Sequence, residues 1–94
     1  MKTKLEHKVG SNMLVITPTA HYWLGRVEAV DETHIHLSSA AWIADIGRHH
    51  SVLASGQPDA NTEVEPHPAG VITSVPLQGS VLIDWPHDLW TRAI

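Results

Sequence analysis

Apolar and polar positions alternate along much of the chain in short runs bounded by glycine and proline, which is the pattern of strands. Residues 13–17 read as a first strand, stopped by Pro18. Residues 22–30 read as a second. A period of two puts Trp23, Gly25, Val27 and Ala29 on one face and Tyr22, Leu24, Arg26, Glu28 and Val30 on the other. The first set is the more uniformly apolar, so it is expected to face the core. Gly25 in mid-strand predicts a bend or a close backbone approach. Asp31-Glu32-Thr33 is a polar connection between two alternating runs and predicts a hairpin turn. A long third strand follows over 34–46, with a bulge expected near Ser38-Ser39-Ala40-Ala41 that lets the sheet curl. Gly47 ends it. Residues 48–55 predict a short helix with Val52 and Leu53 as its apolar contact and Gly56 just past its end. Glu63-Val64-Glu65 extends briefly, and 70–75 and 80–85 are two more strands. A tail over 86–94 carries Trp90.

Ninety-four residues correspond to one domain. A core this small is marginal for a monomer. The chain has no cysteine, so neither disulfides nor thiolate metal sites supplement it. Burying one tryptophan contributes about 2–3 kcal/mol, so Trp85 or Trp90 is expected to be covered between subunits of a homo-oligomer. No apolar run approaches the roughly 20 residues of a membrane span. The basic start, Met1 to Lys8, is not followed by an apolar segment, so no signal peptide is expected and the expected location is the cytoplasm. Residues 1–12 are polar and are expected to be flexible.

The net charge is −4, from six Lys and Arg against ten Asp and Glu. Three of those cations fall in the first eight residues, which leaves Arg26, Arg48 and Arg92 for the body. Duplex nucleic acid, which needs a positive field, is thereby disfavoured as a partner. A small anion held by one or two arginines is not. The eight histidines are distinctive: adding eight protons would carry the net charge from −4 to +4, so an assembly with histidines at its interfaces would be acid-sensitive. His34-x-His36 has the spacing of two metal ligands on one strand face. No clustered third ligand accompanies them, so no metal or other cofactor is assigned.

Catalytic motifs are missing. Ser38, Ser51, Ser55 and Ser74 have histidines nearby in sequence, but no G-x-S-x-G elbow occurs, and there is no phosphate loop or dinucleotide fingerprint. The aromatic and basic residues are more informative. Tyr22, Trp42 and Trp85 can stack on a planar group, and Arg26, Arg48 and His49 can contact phosphate or ribose. Arg48 stands where the helix begins, and free N–H groups there favour an anion. These five residues, Tyr22, Arg26, Trp42, Arg48 and His49, are the ligand-binding set expected from the sequence. The bland alternative is that the tryptophans are core and that the arginines pair with Glu28, Asp45 or Glu63.

Gly25-Arg26-Val27-Glu28-Ala29-Val30-Asp31, followed by His34-Ile35-His36-Leu37-Ser38-Ser39-Ala40, resembles the central hairpin of SH3-like and Sm-like barrels. The resemblance implies an all-β fold over residues 13–94: a five- or six-stranded barrel with one short helix. The order from Val15-Ile16-Thr17-Pro18-Thr19, through Gly25 and the Leu37…Ala41-Trp42-Ile43 strand, to Gly47 and a helix ending at Gly56 is similar to a family of small phage and prophage proteins. That family is richer in arginine around its tryptophan strand, where this chain has Ala40-Ala41-Trp42-Ile43-Ala44. This resemblance implies a non-enzymatic phage accessory protein. The resulting expectation is a homo-oligomer that sequesters a small nucleotide-derived ligand, such as a host immune signal. The alternatives are an Sm-like RNA-binding ring and a structural component of a virion.

Overall fold

A computed structural model describes residues 5–94. The chain is dominated by antiparallel sheet: β1 (Asn12–Ile16), β2 (Tyr22–Val30), β3 (His34–Asp45), β4 (Glu63–Pro66), β5 (Thr73–Pro76) and β6 (Val81–Asp84), with one helix, α1 (His49–Ser55), between β3 and β4. The sheet order is β4-β3-β2-β1-β6, and β5 pairs with the first half of β3. The all-β expectation therefore holds, but the strands form an open sheet. The path ends at β4 and β6, which do not pair with each other, so the expected closed SH3-like or Sm-like barrel is not formed. The physical reason is the chain after β6. It leaves the sheet at Pro86, and its far end pairs with β4 instead: Val64 N donates to Ile94 O at 3.1 Å and Ile94 N to Val64 O at 3.0 Å.

The expected single core is two cores, one on each face of the same sheet. Leu14, Leu24, Ala41, Ile43, Val64 and Val52 form the first, with Trp85 and Trp90 over them. Met13, Val15, Val27, Ile35, Leu37, Ala40 and Val75 form the second. Met13, Leu14 and Val15 are buried in succession, because β1 lies in mid-sheet with both faces covered. Leu24, placed by alternation on the outer face of β2, is 1% exposed for the same reason. Ala29, placed on the core face, is exposed. A register shift between Val27 and Ala29 moves the end of β2 to the other phase.

The second face is covered by the distal halves of β2 and β3, which fold back over the sheet together with β5. A bulge makes this possible. Leu24 pairs with Ala41 and Arg26 with Ser38, so Gly25 alone opposes Ser39 and Ala40. Ser39 takes a left-handed φ of 48°. A Cβ on residue 25 would lie 2.9 Å from the Leu37 Cβ, so only glycine lets the bent β3 cross here. The first face is covered by α1 and the tail. Gly56 ends α1 at φ 69°, its N–H bonded to Val52 O.

Trp85 and Trp90 are packed edge to face at 5.4 Å, and each indole N–H has a carbonyl acceptor, Asp88 O and Gly56 O. At 3% and 8% exposure they are covered by their own chain and need no second subunit. Part of the segment expected to be flexible, residues 1–4, lies outside the described residues. The remainder includes a 3-10 turn, Glu6–Lys8. It is joined to β2 by Gly10 N to Val27 O and Val27 N to Ser11 O, and to β6 by a Lys8–Asp84 ion pair of 2.9 Å. No described helix is long and apolar enough to cross a membrane.

Candidate functional site

The start of α1 is where the sequence places an anion. The two backbone N–H groups that lead into it, those of Gly47 and Arg48, are taken by the protein's own carboxylates. Asp59 Oδ2 accepts from Arg48 N at 2.7 Å, and Asp45 Oδ1 accepts from Gly47 N at 2.8 Å. Asp59 also accepts from Asn61 N and the Thr62 hydroxyl. These bonds, led by that from Arg48 N, lower its pKa. Thr62, 3% exposed, ties the same loop to β3 through Ile46 O. A carboxylate thus stands just before a helix of only seven residues, and its negative charge opposes a phosphate there.

The five residues expected to bind ligand do not converge. Tyr22 and His49 do meet: the phenol oxygen and Nδ1 are 3.4 Å apart and the rings are edge to face at 6.1 Å. Arg48 neighbours His49 in sequence, is exposed, and has no carboxylate within ion-pair distance among the described residues. Trp42 is on the opposite face of the sheet. It pairs with Trp23, whereas Tyr22 pairs with Ile43 of the first core. Arg26 sits beyond the bulge, 3.9 Å from Glu28, the pairing foreseen as its bland role. None of the five lines the groove between the β1–β2 connection and β5.

That groove, of about 470 Å³, runs between the β1–β2 connection and β5, and includes Thr17, Pro18, Thr19, His21, Trp23, Ser74, Val75, Pro76 and Gln78. Trp23 and the two prolines supply apolar surface. The rim is neutral and polar. Thr19 Oγ1 holds His21 Nδ1 at 2.7 Å and Thr17 Oγ1 at 2.9 Å, and Thr17 N closes the connection on His21 O. Behind Trp23, the His67 ring packs edge-on at 5.5 Å, itself fixed by Thr73 Oγ1 at 2.7 Å. A larger concavity of about 580 Å³, beside Ser55 and His87, is chiefly polar and offers no open aromatic face. Sequence reasoning missed the groove because alternation assigned Trp23 to the core. The usable signal was the Thr17-Pro18-Thr19 turn leading straight into Trp23.

The histidine pair His34 and His36 stacks at 6.3 Å. Both ring nitrogens of His36 are engaged: Nε2 with Asp31 Oδ2 at 2.8 Å, and Nδ1 with Ser74 Oγ at 2.7 Å. His34 Nδ1 faces Thr33 Oγ1. Among the described residues no three His, Asp or Glu side chains gather as a metal would require.

Comparison of the chain with family models, with curated proteins and with solved structures returned no match. The side-chain geometry therefore carries the functional reading.

Proposed function

We propose that the protein is a non-enzymatic binding protein that sequesters a small nucleotide-derived ligand, with the base and sugar in the Trp23 groove. One observation carries the reading: an open groove in which an indole is flanked by Pro18 and Pro76 and rimmed by Thr17, Thr19, His21 and Gln78. Stacking on an aromatic side chain contributes about 1–3 kcal/mol per base, and hydroxyl, imidazole and amide groups suit the edges of a base or a ribose. The lining contains no Lys or Arg, so a phosphate would stay at the mouth. The setting is the phage accessory role implied by the sequence resemblance. Self-association, if part of that role, rests on exposed Val71, Ile72 and Val81 and not on Trp85 or Trp90.

The test is two-dimensional NMR of the labelled chain titrated with nucleosides, mononucleotides and cyclic dinucleotides. The Trp23 indole N–H signal should move together with the backbone amides of Thr17–His21, while the Trp90 indole stays fixed. Unmoved Trp23 signals at millimolar ligand would overturn the proposal.

A further inference from the structure

Ser74 stands at the boundary between the groove and the outer face of the β3–β5 pair, and the register fixes where its groups point. Leu77 N donates to Thr33 O at 2.9 Å, so Thr33 and Leu77 form a hydrogen-bonded pair. Such pairs alternate along an antiparallel ladder. Ile35–Val75 is then also hydrogen-bonded, and His36–Ser74 is a non-hydrogen-bonded pair, where facing side chains approach most closely. The Ser74 hydroxyl therefore meets His36, while its amide N–H points away from β3 toward the open edge of β5, on the groove side. Pro76, opposite His34, occupies the same kind of position, where a missing N–H costs nothing.

The side chains form a continuous chain: Asp31 Oδ2 to His36 Nε2 at 2.8 Å, then His36 Nδ1 to Ser74 Oγ at 2.7 Å. Asp31 cannot donate to the ring. Its Oδ1 accepts from Thr33 N at 2.8 Å, His34 N at 2.8 Å and Thr33 Oγ1 at 3.0 Å. The bond to His36, followed by those to the backbone, holds the carboxyl far below the usual range. The proton between Asp31 and His36 therefore belongs to Nε2, and in the neutral ring Nδ1 is left as the acceptor for the Ser74 hydroxyl. A nucleophile on a base that is itself oriented by a third group is the arrangement that activates serine. The ring is turned round relative to the commonest order, in which the carboxylate holds Nδ1.

We infer that Ser74 is an acyl-accepting nucleophile, with His36 as its base and Asp31 as the residue that positions His36. The donor is an activated carboxylic ester whose apolar part lies in the groove. Ser74 Oγ attacks the ester carbonyl carbon and its proton passes to His36 Nδ1. The ester C–O bond then breaks, and the departing oxygen takes the proton from Nδ1. The products are acyl-Ser74 and the free alcohol. The amide N–H of Ser74, pointing to the open edge, is available to the carbonyl oxygen as it gains charge. This inference does not need the groove to hold a nucleotide, and either reading can fail alone.

The full chain is treated with p-nitrophenyl acetate, and the adduct is located by intact mass and peptide mapping. One acetyl group is expected on Ser74, absent in Ser74→Ala, a change on an exposed edge strand. His36→Gln should slow acetylation of Ser74 by at least about 100-fold. Independently of any variant, ¹⁵N shifts of the parent His36 ring should show the proton on Nε2, and Asp31→Asn should both disturb that signature and slow acetylation. Acetylation confined to lysine or histidine, equal rates in His36→Gln, or a parent ring protonated on Nδ1 would each overturn the inference.

Discussion

The two faces of the sheet are buried by different means. The first is closed from outside, by α1 and a tail that crosses from β6 to β4 and lays Trp85 and Trp90 on Leu14, Leu24 and Ile43. The second is closed by the sheet itself, because β2 and β3 are long enough to bend back and bring Val27, Ile35 and Leu37 over Met13 and Val15. Aromatic bulk can seal a face with few residues, but it must be delivered by a segment with little secondary structure. Aliphatic packing between strands needs no added segment, but it requires a bend, and the bend depends on one glycine.

The sharpest way to break this contrast is Trp90→Ala. Removal of a buried indole typically costs about 3–5 kcal/mol, a large share of the roughly 5–15 kcal/mol that holds a domain together. Urea unfolding should show that loss, and hydrogen exchange should show protection falling in α1 and residues 85–94 while the β2–β3 hairpin stays protected. Gly25→Ala attacks the other face. The added Cβ meets the Leu37 Cβ at 2.9 Å, Ser38 O at 3.2 Å and the Ala40 Cα at 3.3 Å. Overpacking of this kind costs about 1–3 kcal/mol. Protection should now fall around Ile35–Leu37 and hold in α1.

The smallest effect is expected in acid, where each face is served by one carboxylate of lowered pKa. Asp31 serves the hairpin turn, and Asp59 serves the connection that leads into α1. A carboxyl whose folded value lies below its unfolded value of 3.8 stabilises the fold fully above that value. The contribution is lost as the pH falls through the folded one. Stability measured downward from pH 5 should therefore decline less steeply in Asp31→Asn and in Asp59→Asn than in the parent. Asp31 is exposed and Asp59 only half-buried, so each change should be modest. Equal slopes in parent and variants would deny these carboxylates their part in the acid response.

Local features were legible in the sequence because they are written in neighbouring residues. The Asp31-Glu32-Thr33 turn, the bulge at Ser38–Ala41, the close approach at Gly25 and the left-handed Gly56 after α1 all stand where residue chemistry put them. The two-sided burial was not read, because alternation assumes one wet face. The uninterrupted run Met13-Leu14-Val15 carried the contrary signal. At the candidate site, the Tyr22–His49 contact joins two of the expected residues. The bond from Arg48 N to Asp59 and the bond between His36 and Ser74 join positions 11 and 38 residues apart. No spacing rule relates such positions. His36 and Ser74 meet because β5 returns to pair with β3, and Arg48 and Asp59 because the loop after α1 turns back to the end of β3.

The register of β1 against β6, with Met13 opposite Asp84, bears on the order of folding. The β2–β3 hairpin needs only a three-residue turn, and hairpins form in about 1–10 µs. β1 cannot meet β6 until residues 13–16 and 81–84 come together, a non-local closure of the kind that slows folding. The self-covered face can thus assemble early around a local nucleus, while the tryptophan-covered face waits for the last segment to dock. In a stopped-flow trace the indole signal of Trp85 and Trp90 would then lag behind the sheet signal in the far ultraviolet.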